Sequence, residues 1–350
     1  MSKQIGISLA LCLSVLWALA ILFRVYNTSW PNKSNFSYID ECPPPKLALL
    51  GIFTTDSTPN TARRGLLRQV YRNLQKQLPP ESQIDFHFVM GLHAEPDAAP
   101  LPSHEQTIEM HLFPHETTLL DTQENMDDGK TYHWFRHAAT HLLDTQQTQN
   151  GSRHCTRYRY IGKMDDDAVT HLPRLARTLA RVSDTDTRSY YVGREHHEAD
   201  FMIGMMYFLS ENLVRYVATS ERVAGNIVGF EDRKVGEWVR SSGMLVERVR
   251  LQRELHDYMS FWAFPSFITN ETICLHGLKQ QPGALLDLVQ SDNTSYRDAL
   301  IAFSHDRVGI SLTDGQVDEI SGFLLDQNNL GKFYDAPKLE EHLRKNYQIN

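Results

Sequence analysis

Three consecutive carboxylates, Asp165-Asp166-Asp167, follow a strand-like run from Tyr158 to Met164. Side by side they repel one another unless a cation or hydrogen-bond donors offset the charge. A hard divalent ion, Mg2+ or Mn2+, is a natural partner for such oxygen ligands. The place suits it, because α/β sheets bind ligands beyond the carboxyl ends of their strands. The competing reading is an acidic surface turn that caps the next helix.

Two further acids, Glu231-Asp232, stand where a helical pattern begins, with Val235, Trp238 and Val239 as its apolar side. A helix N-terminus favours their ionised forms. An ionised carboxylate there could take the proton of an attacking hydroxyl; first-turn capping also explains the pair. Arg64, Arg68 and Arg72 recur every four residues and share one helix face. They read either as a grip on a diphosphate or as a solvated basic face. His133, His137 and His141 share another face, but no Glu follows His133, so H-E-x-x-H is absent and the row reads as polar surface. His196-His197 reads as a solvated pair in a loop.

These groups need a framework. The chain has 350 residues, 41% hydrophobic and 22% charged. That mix buries a core and excludes a disordered chain, a collagen-like fibre and a small disulfide scaffold. The net charge of −8 argues against nucleic acid as a partner. The 16 histidines add charge in a mildly acidic compartment. Four cysteines without a C-x-x-C pair argue against a cysteine zinc site. From Leu47 onward short apolar runs alternate with helical patterns, which predicts an α/β fold with a largely parallel sheet. Strands are expected at Leu47–Phe53, Ile84–Leu92 and Tyr158–Met164. Helices are expected from Thr58, as N-cap before Pro59, to about Gln77, and from Gly129 to Leu143.

The N-terminus supplies an address. Ile5 to Phe23 carries no charge, and at about 1.5 Å per helical residue it reaches about 28 Å, close to a hydrocarbon core. The expectation is a cytoplasmic tail over 1–4, a transmembrane signal-anchor over 5–23 and a lumenal stem over 24–46 ending in Pro43-Pro44-Pro45. The rival is a cleaved signal peptide with an A-x-A site at Ala18-Leu19-Ala20. N-x-[ST] sequons at Asn27, Asn32, Asn35, Asn150, Asn270 and Asn293 favour a lumenal face. Cys42, Cys155 and Cys274 would then sit in an oxidising space, with at most one internal pair among them.

Several of these stretches, in order, resemble glycosyltransferase family 31, the β-1,3-galactosyltransferases, β-1,3-N-acetylglucosaminyltransferases and Fringe-type enzymes. Leu49–Phe53 with Arg63-Arg64-x3-Arg68 is similar to the family's first strand and R-x3-R helix. Gly129-Lys130-Thr131-Tyr132 resembles the approach to its long helix. Lys163-Met164-Asp165-Asp166-Asp167 resembles its metal motif, with Cys155 upstream. Phe201–Ser210 resembles its acceptor strand, although Gly204-Met205-Met206 stands where glycines are common. Gly229-Phe230-Glu231-Asp232 with Gly236 resembles its E-D-V-x-x-G motif, and Leu275-His276 its late histidine.

The resemblance implies a GT-A fold over 47–350 and an inverting transfer of a hexose from a UDP-sugar to a glycan hydroxyl. Galactose is the first expectation, N-acetylglucosamine the second, and β-1,3 the linkage. It implies Mn2+ or Mg2+ held by Asp167 and His276, with His256 the competing ligand. Arg64, Arg68, Lys163, Asp165 and Asp166 are implied on the nucleotide-sugar, Gly204 and Tyr207 on the acceptor. Asp232 is the implied base and Glu231 its support. A Golgi type II membrane protein is the implied setting. An inactive lumenal glycan-binding module on the same fold is the alternative, and a metal-dependent phosphohydrolase is a third class.

Overall fold

A computed structural model describes residues 44–93, 100–142, 145–148, 151–182, 188–196, 199–257, 269–277, 310–325 and 336–347. The expected anchor at 5–23, nearly all of the stem, Cys42, His197 and the sequons at Asn27, Asn32, Asn35, Asn150 and Asn293 lie outside these residues. Asn270 is exposed in a turn. Among the described residues no helix is long and apolar enough to cross a membrane. Contacts group residues 43–145 and 154–350 into one unit and place 146–153 in another.

The larger unit opens with β1 (Lys46–Phe53), α1 (Thr58–Gln75), β2 (Ile84–Leu92), α2 (His104–Leu112), β3 (Thr117–Gln123) and α3 (Lys130–His141). Two short paired strands, β4 (Thr145–Thr148) and β5 (Gly151–His154), follow. Then come β6 (Tyr158–Asp165), β7 (Ala168–Thr170), α4 (Leu172–Arg181), β8 (Ser189–Glu195), β9 (Met202–Ser210), α5 (Glu211–Thr219) and α6 (Glu221–Ala224). The rest is α7 (Glu231–Ser241), β10 (Val246–Arg250), β11 (Leu255–Asp257), β12 (Cys274–His276), α8 (Asp314–Leu325) and α9 (Ala336–Tyr347).

Seven strands form one sheet in the order β10-β8-β9-β6-β1-β2-β3. β1 is parallel to β2 and β6, and β2 to β3. β9 is antiparallel to both β6 and β8, and β10 is parallel to β8. The sheet is thus parallel apart from β9, as the strand–helix alternation predicted.

β1 is apolar from Leu47 to Phe53 because helices cover both its faces. Ala48, Leu50 and Ile52 join Leu67 and Tyr71 of α1 and Leu172, Leu175 and Leu179 of α4 in one core layer. Leu49 and Phe53 join Trp134 and Phe135 of α3, Leu213 of α5 and Trp238 of α7 in the other. A three-stranded sheet, β11-β12-β7, stands beside the large one.

Element ends differ from expectation by local chemistry. Ser57, not Thr58, is the N-cap of α1, and Pro59 falls inside its first turn. Gly129 precedes α3 at φ 84, a left-handed conformation that glycine adopts cheaply. α2 was not foreseen; Ser103 and Gln106 close it with a reciprocal capping box. Cys155 is disulfide-bonded and buried.

Trp134 ties the second layer to the sheet. It is fully buried, its indole N–H donates to the Gly162 carbonyl at 3.0 Å, and it lies so close over Gly51 that a Cβ there would come within 2.5 Å of the ring. Trp134→Ala is expected to cost about 3–5 kcal/mol, the range for a large aromatic lost from a core. Urea unfolding measures this, and a loss under about 1 kcal/mol would show that the layer closes over the void.

Candidate functional site

β1 and β6 run side by side with Phe53 opposite Asp165, so the acidic triplet leaves the sheet at the carboxyl ends of two adjacent central strands. From β1 the sheet proceeds to β2 on one side, and from β6 to β9 on the other. This divergence is where α/β sheets open a ligand crevice.

The turn at Asp166-Asp167 sends the carboxylates different ways. Asp166 accepts from the Thr54 hydroxyl at 2.6 Å and pairs with Arg63 at 3.3 Å. Its backbone N–H donates to the Phe53 carbonyl at 3.0 Å. Asp165 and Asp167 meet His276 instead. β7 and β12 pair antiparallel with Ala168 opposite His276, and the Gly277 N–H donates to the Asp167 carbonyl at 2.8 Å. This pairing sets His276 Nε2 at 3.2 Å from Asp167 Oδ1 and 3.8 Å from Asp165 Oδ2.

The ligand atoms of Asp165, Asp167 and His276 all lie within 4.8 Å of one another. Two carboxylate oxygens and an imidazole nitrogen suit Mn2+ or Mg2+, whose remaining positions water or a phosphate can fill. Asp165, expected on the nucleotide, therefore belongs with the candidate ligands, while Asp166 is engaged by Thr54 and Arg63. His256 sits on β11 opposite Leu275 and is not in this group. Burial, then the nearby Arg194 charge, lowers its pKa to about 4.

Lys163 links this cluster to the second pair of acids. Its buried ammonium donates to the Gly204 carbonyl at 2.6 Å and to Glu231 at 2.7 Å, and it pairs with Asp165 at 2.8 Å. Three acceptors match its three protons. Burial alone would lower its pKa, but Asp165 and Glu231 together outweigh that and raise it. Lys163 is thus an internal bridge, not the nucleotide contact expected of it.

Glu231 also accepts from the Tyr207 hydroxyl at 2.8 Å and Thr131 at 3.1 Å. Tyr207, expected on the acceptor, is fully buried and supports Glu231 instead. Gly204, the other expected acceptor contact, makes room: a Cβ there would come within 2.5 Å of Glu231 Oε1. Asp232, next in the first turn of α7, is partly exposed and accepts from the Arg233 N–H at 2.7 Å. Both acids are partly exposed, and it is Glu231 that the neighbouring side chains engage.

The arginine ridge has a different fate from the one expected. Arg68 is buried and pairs with Glu109 at 2.5 Å and Glu116 at 2.8 Å. Arg72 pairs with Glu116 at 2.6 Å, and Arg64 lies 3.3 Å from Glu109. The ridge ties α1 to α2 and to the approach to β3. Arg64 also donates to Thr54, and so supports the residue that holds Asp166.

Thr54 and Arg63 are neighbours of the cluster to which the sequence reading gave no role. Arg63 was visible beside the ridge, one helical step from the face that was read. In the histidine row, burial and then His141 lower the pKa of His137 to about 4. His196, read as solvated, stacks on Phe201 with ring centroids 4.9 Å apart.

No protein-family model matches the chain. It is 23% identical over 284 residues to the Schizosaccharomyces pombe beta-1,3-galactosyltransferase pvg3, covering 67% of this chain and 71% of that protein. Among solved structures it is similar to a glycosyltransferase involved in glycosylation of the major capsid of PBCV-1, at 10% identity over 70% of this chain and 98% of that one, with a TM-score of 0.33. An active-site mutant of LgtC is 11% identical over 82% and 100%, with a TM-score of 0.34. Likeness at these TM-scores carries no weight for fold or function.

Lys163→Met would leave Glu231 and Asp165 without their buried cation. The expected loss is about 3–5 kcal/mol, the scale for breaking a buried pair, read by urea unfolding; a change below about 1 kcal/mol would remove Lys163 as the bridge. His137 and His256 have depressed pKa values, so their contribution to stability is complete above the unfolded value of about 6.5 and is lost as pH falls toward about 4. The denaturation midpoint should fall across that window, less steeply in an H137Q/H256Q double variant; an unchanged slope would contradict the assignment.

Proposed function

We propose that this chain is a metal-dependent, inverting glycosyltransferase on the GT-A plan, moving a hexose from a UDP-sugar to a glycan hydroxyl in β-1,3 linkage. The observation that carries the reading is the meeting of Asp165, Asp167 and His276 at the carboxyl ends of the central strands, joined through Lys163 to Glu231-Asp232. The identity to a β-1,3-galactosyltransferase supports sugar transfer. It makes galactose the first choice of donor and N-acetylglucosamine the second.

Asp165, Asp167 and His276 would hold Mn2+ or Mg2+, which when bound neutralises charge on the departing diphosphate. Arg63, held near this cluster by Asp166, is the arginine we assign to the donor. Its Nε is buried with no hydrogen-bond partner among the described residues, and a guanidinium is suited to phosphate oxygens. Asp232, in the first turn of α7, takes the proton of the acceptor hydroxyl. Glu231, with three protein donors on its carboxylate, fixes the start of α7. The same reading makes residues 5–23 a Golgi signal-anchor, with 1–4 cytoplasmic and 24–350 lumenal.

A panel of UDP-sugars with Mn2+ or with chelator tests the reading. Transfer should require the metal. Asp167→Asn and His276→Ala should each lose Mn2+-dependent UDP binding. Asp232→Asn should bind UDP normally and lose turnover by about 10²-fold or more, the scale of a lost general base. Mn2+-dependent UDP binding with no transfer from any donor would favour the glycan-binding module instead.

A further inference from the structure

Away from the acidic cluster, α4 presents Arg174, Arg177 and Arg181 on one face, spaced three and four residues apart. They line a cavity of about 480 Å3, within the size range of small-molecule sites. Arg253 and Glu254, between β10 and β11, form another part of the wall, and Glu271, in the turn before β12, a third. Four guanidinium groups against two carboxylates make this a positive hollow in a chain whose net charge is −8.

The parts divide the work. Arg174 is buried and donates to the Thr269 and Thr272 carbonyls at 2.9 and 2.6 Å, which fixes the floor. Arg177 and Arg181 are exposed, so their heads can close on an incoming group. Guanidinium forks match the oxygens of a phosphate, sulfate or carboxylate. The carboxylates ask for something else. Burial raises the Glu254 pKa and the neighbouring Glu271 adds to it; a carboxyl group in either state can bond a hydroxyl. A bare inorganic anion meets repulsion from them. Among the described residues that line the cavity none is aromatic, and Ile273 is the apolar one.

We propose that this hollow is a second binding site, separate from the metal cluster, for a sugar that carries an oxyanion. The arginines take the phosphate, sulfate or carboxylate, and Glu254 and Glu271 take ring hydroxyls. The site needs neither the metal nor turnover, so it stands or falls apart from the proposed transfer reaction.

Calorimetry on the purified full chain, without UDP or metal, tests it. The probes are galactose 6-phosphate, galactose 6-sulfate and galacturonate, with galactose and inorganic phosphate as controls. At least one charged sugar should bind about tenfold or more tighter than either control, and which one binds names the oxyanion. An R177A/R181A double variant, changed only at exposed heads, should weaken that binding about tenfold or more. E271Q should weaken the charged sugar and, by removing a repelling charge, tighten inorganic phosphate. Absence of binding by all three probes would overturn the proposal. So would phosphate binding as tightly as the sugars, or loss of binding in Asp167→Asn with none in R177A/R181A.

Discussion

An ammonium group enclosed by protein keeps its charge only if every proton finds an acceptor. The Lys163 side chain meets that demand, and much of the site's layout follows from it. One acceptor is a main-chain carbonyl on β9, one a carboxylate on α7, and one the first acid of the triplet on its own strand. Losing any of the three would leave charge stranded in a region of low polarizability, where the penalty is several times that at a surface. Position 204 therefore has to be glycine for Glu231 to come close. Tyr207 and Thr131 then complete the same carboxylate from behind.

The arrangement gives adjacent acids unlike tasks. In the triplet, the middle carboxylate faces the first helix and the outer two face the late histidine. At the start of α7, three side chains donate to the first acid, and a backbone N–H donates to the second. In both places the backbone does the sorting: a tight turn in one case, the first turn of a helix in the other. Neighbouring residues of one chemical type are thereby placed in different surroundings, which is how one chain holds candidate cation ligands, anchors and a candidate proton acceptor within a few residues.

Much of this was legible in the chain itself. The strand over Ile84–Leu92 lies where the apolar run predicts. The central strand runs into its acids as expected, and Glu231 opens a helix. What escaped were partners far apart in sequence. The arginine ridge looked like a free surface because Glu109 and Glu116, which neutralise it, belong to α2 and its exit. That helix has little apolar patterning, and its capping box is its clearest local sign. Outward roles for Lys163 and Tyr207 come only from the family resemblance: a motif names the residues, not the distant carboxylate that comes to meet them.

The histidine that completes the acidic cluster comes on β12, a strand of only three residues that enters a side sheet after every strand of the large sheet has been made. Closing so long a loop costs entropy that such a short ladder recovers poorly by itself. A growing chain leaving the ribosome can therefore assemble its whole central sheet while the cluster still lacks its nitrogen. Competence to hold a cation is acquired late in synthesis, and an ion seated there would act as a clasp that draws the two ends of the fold together.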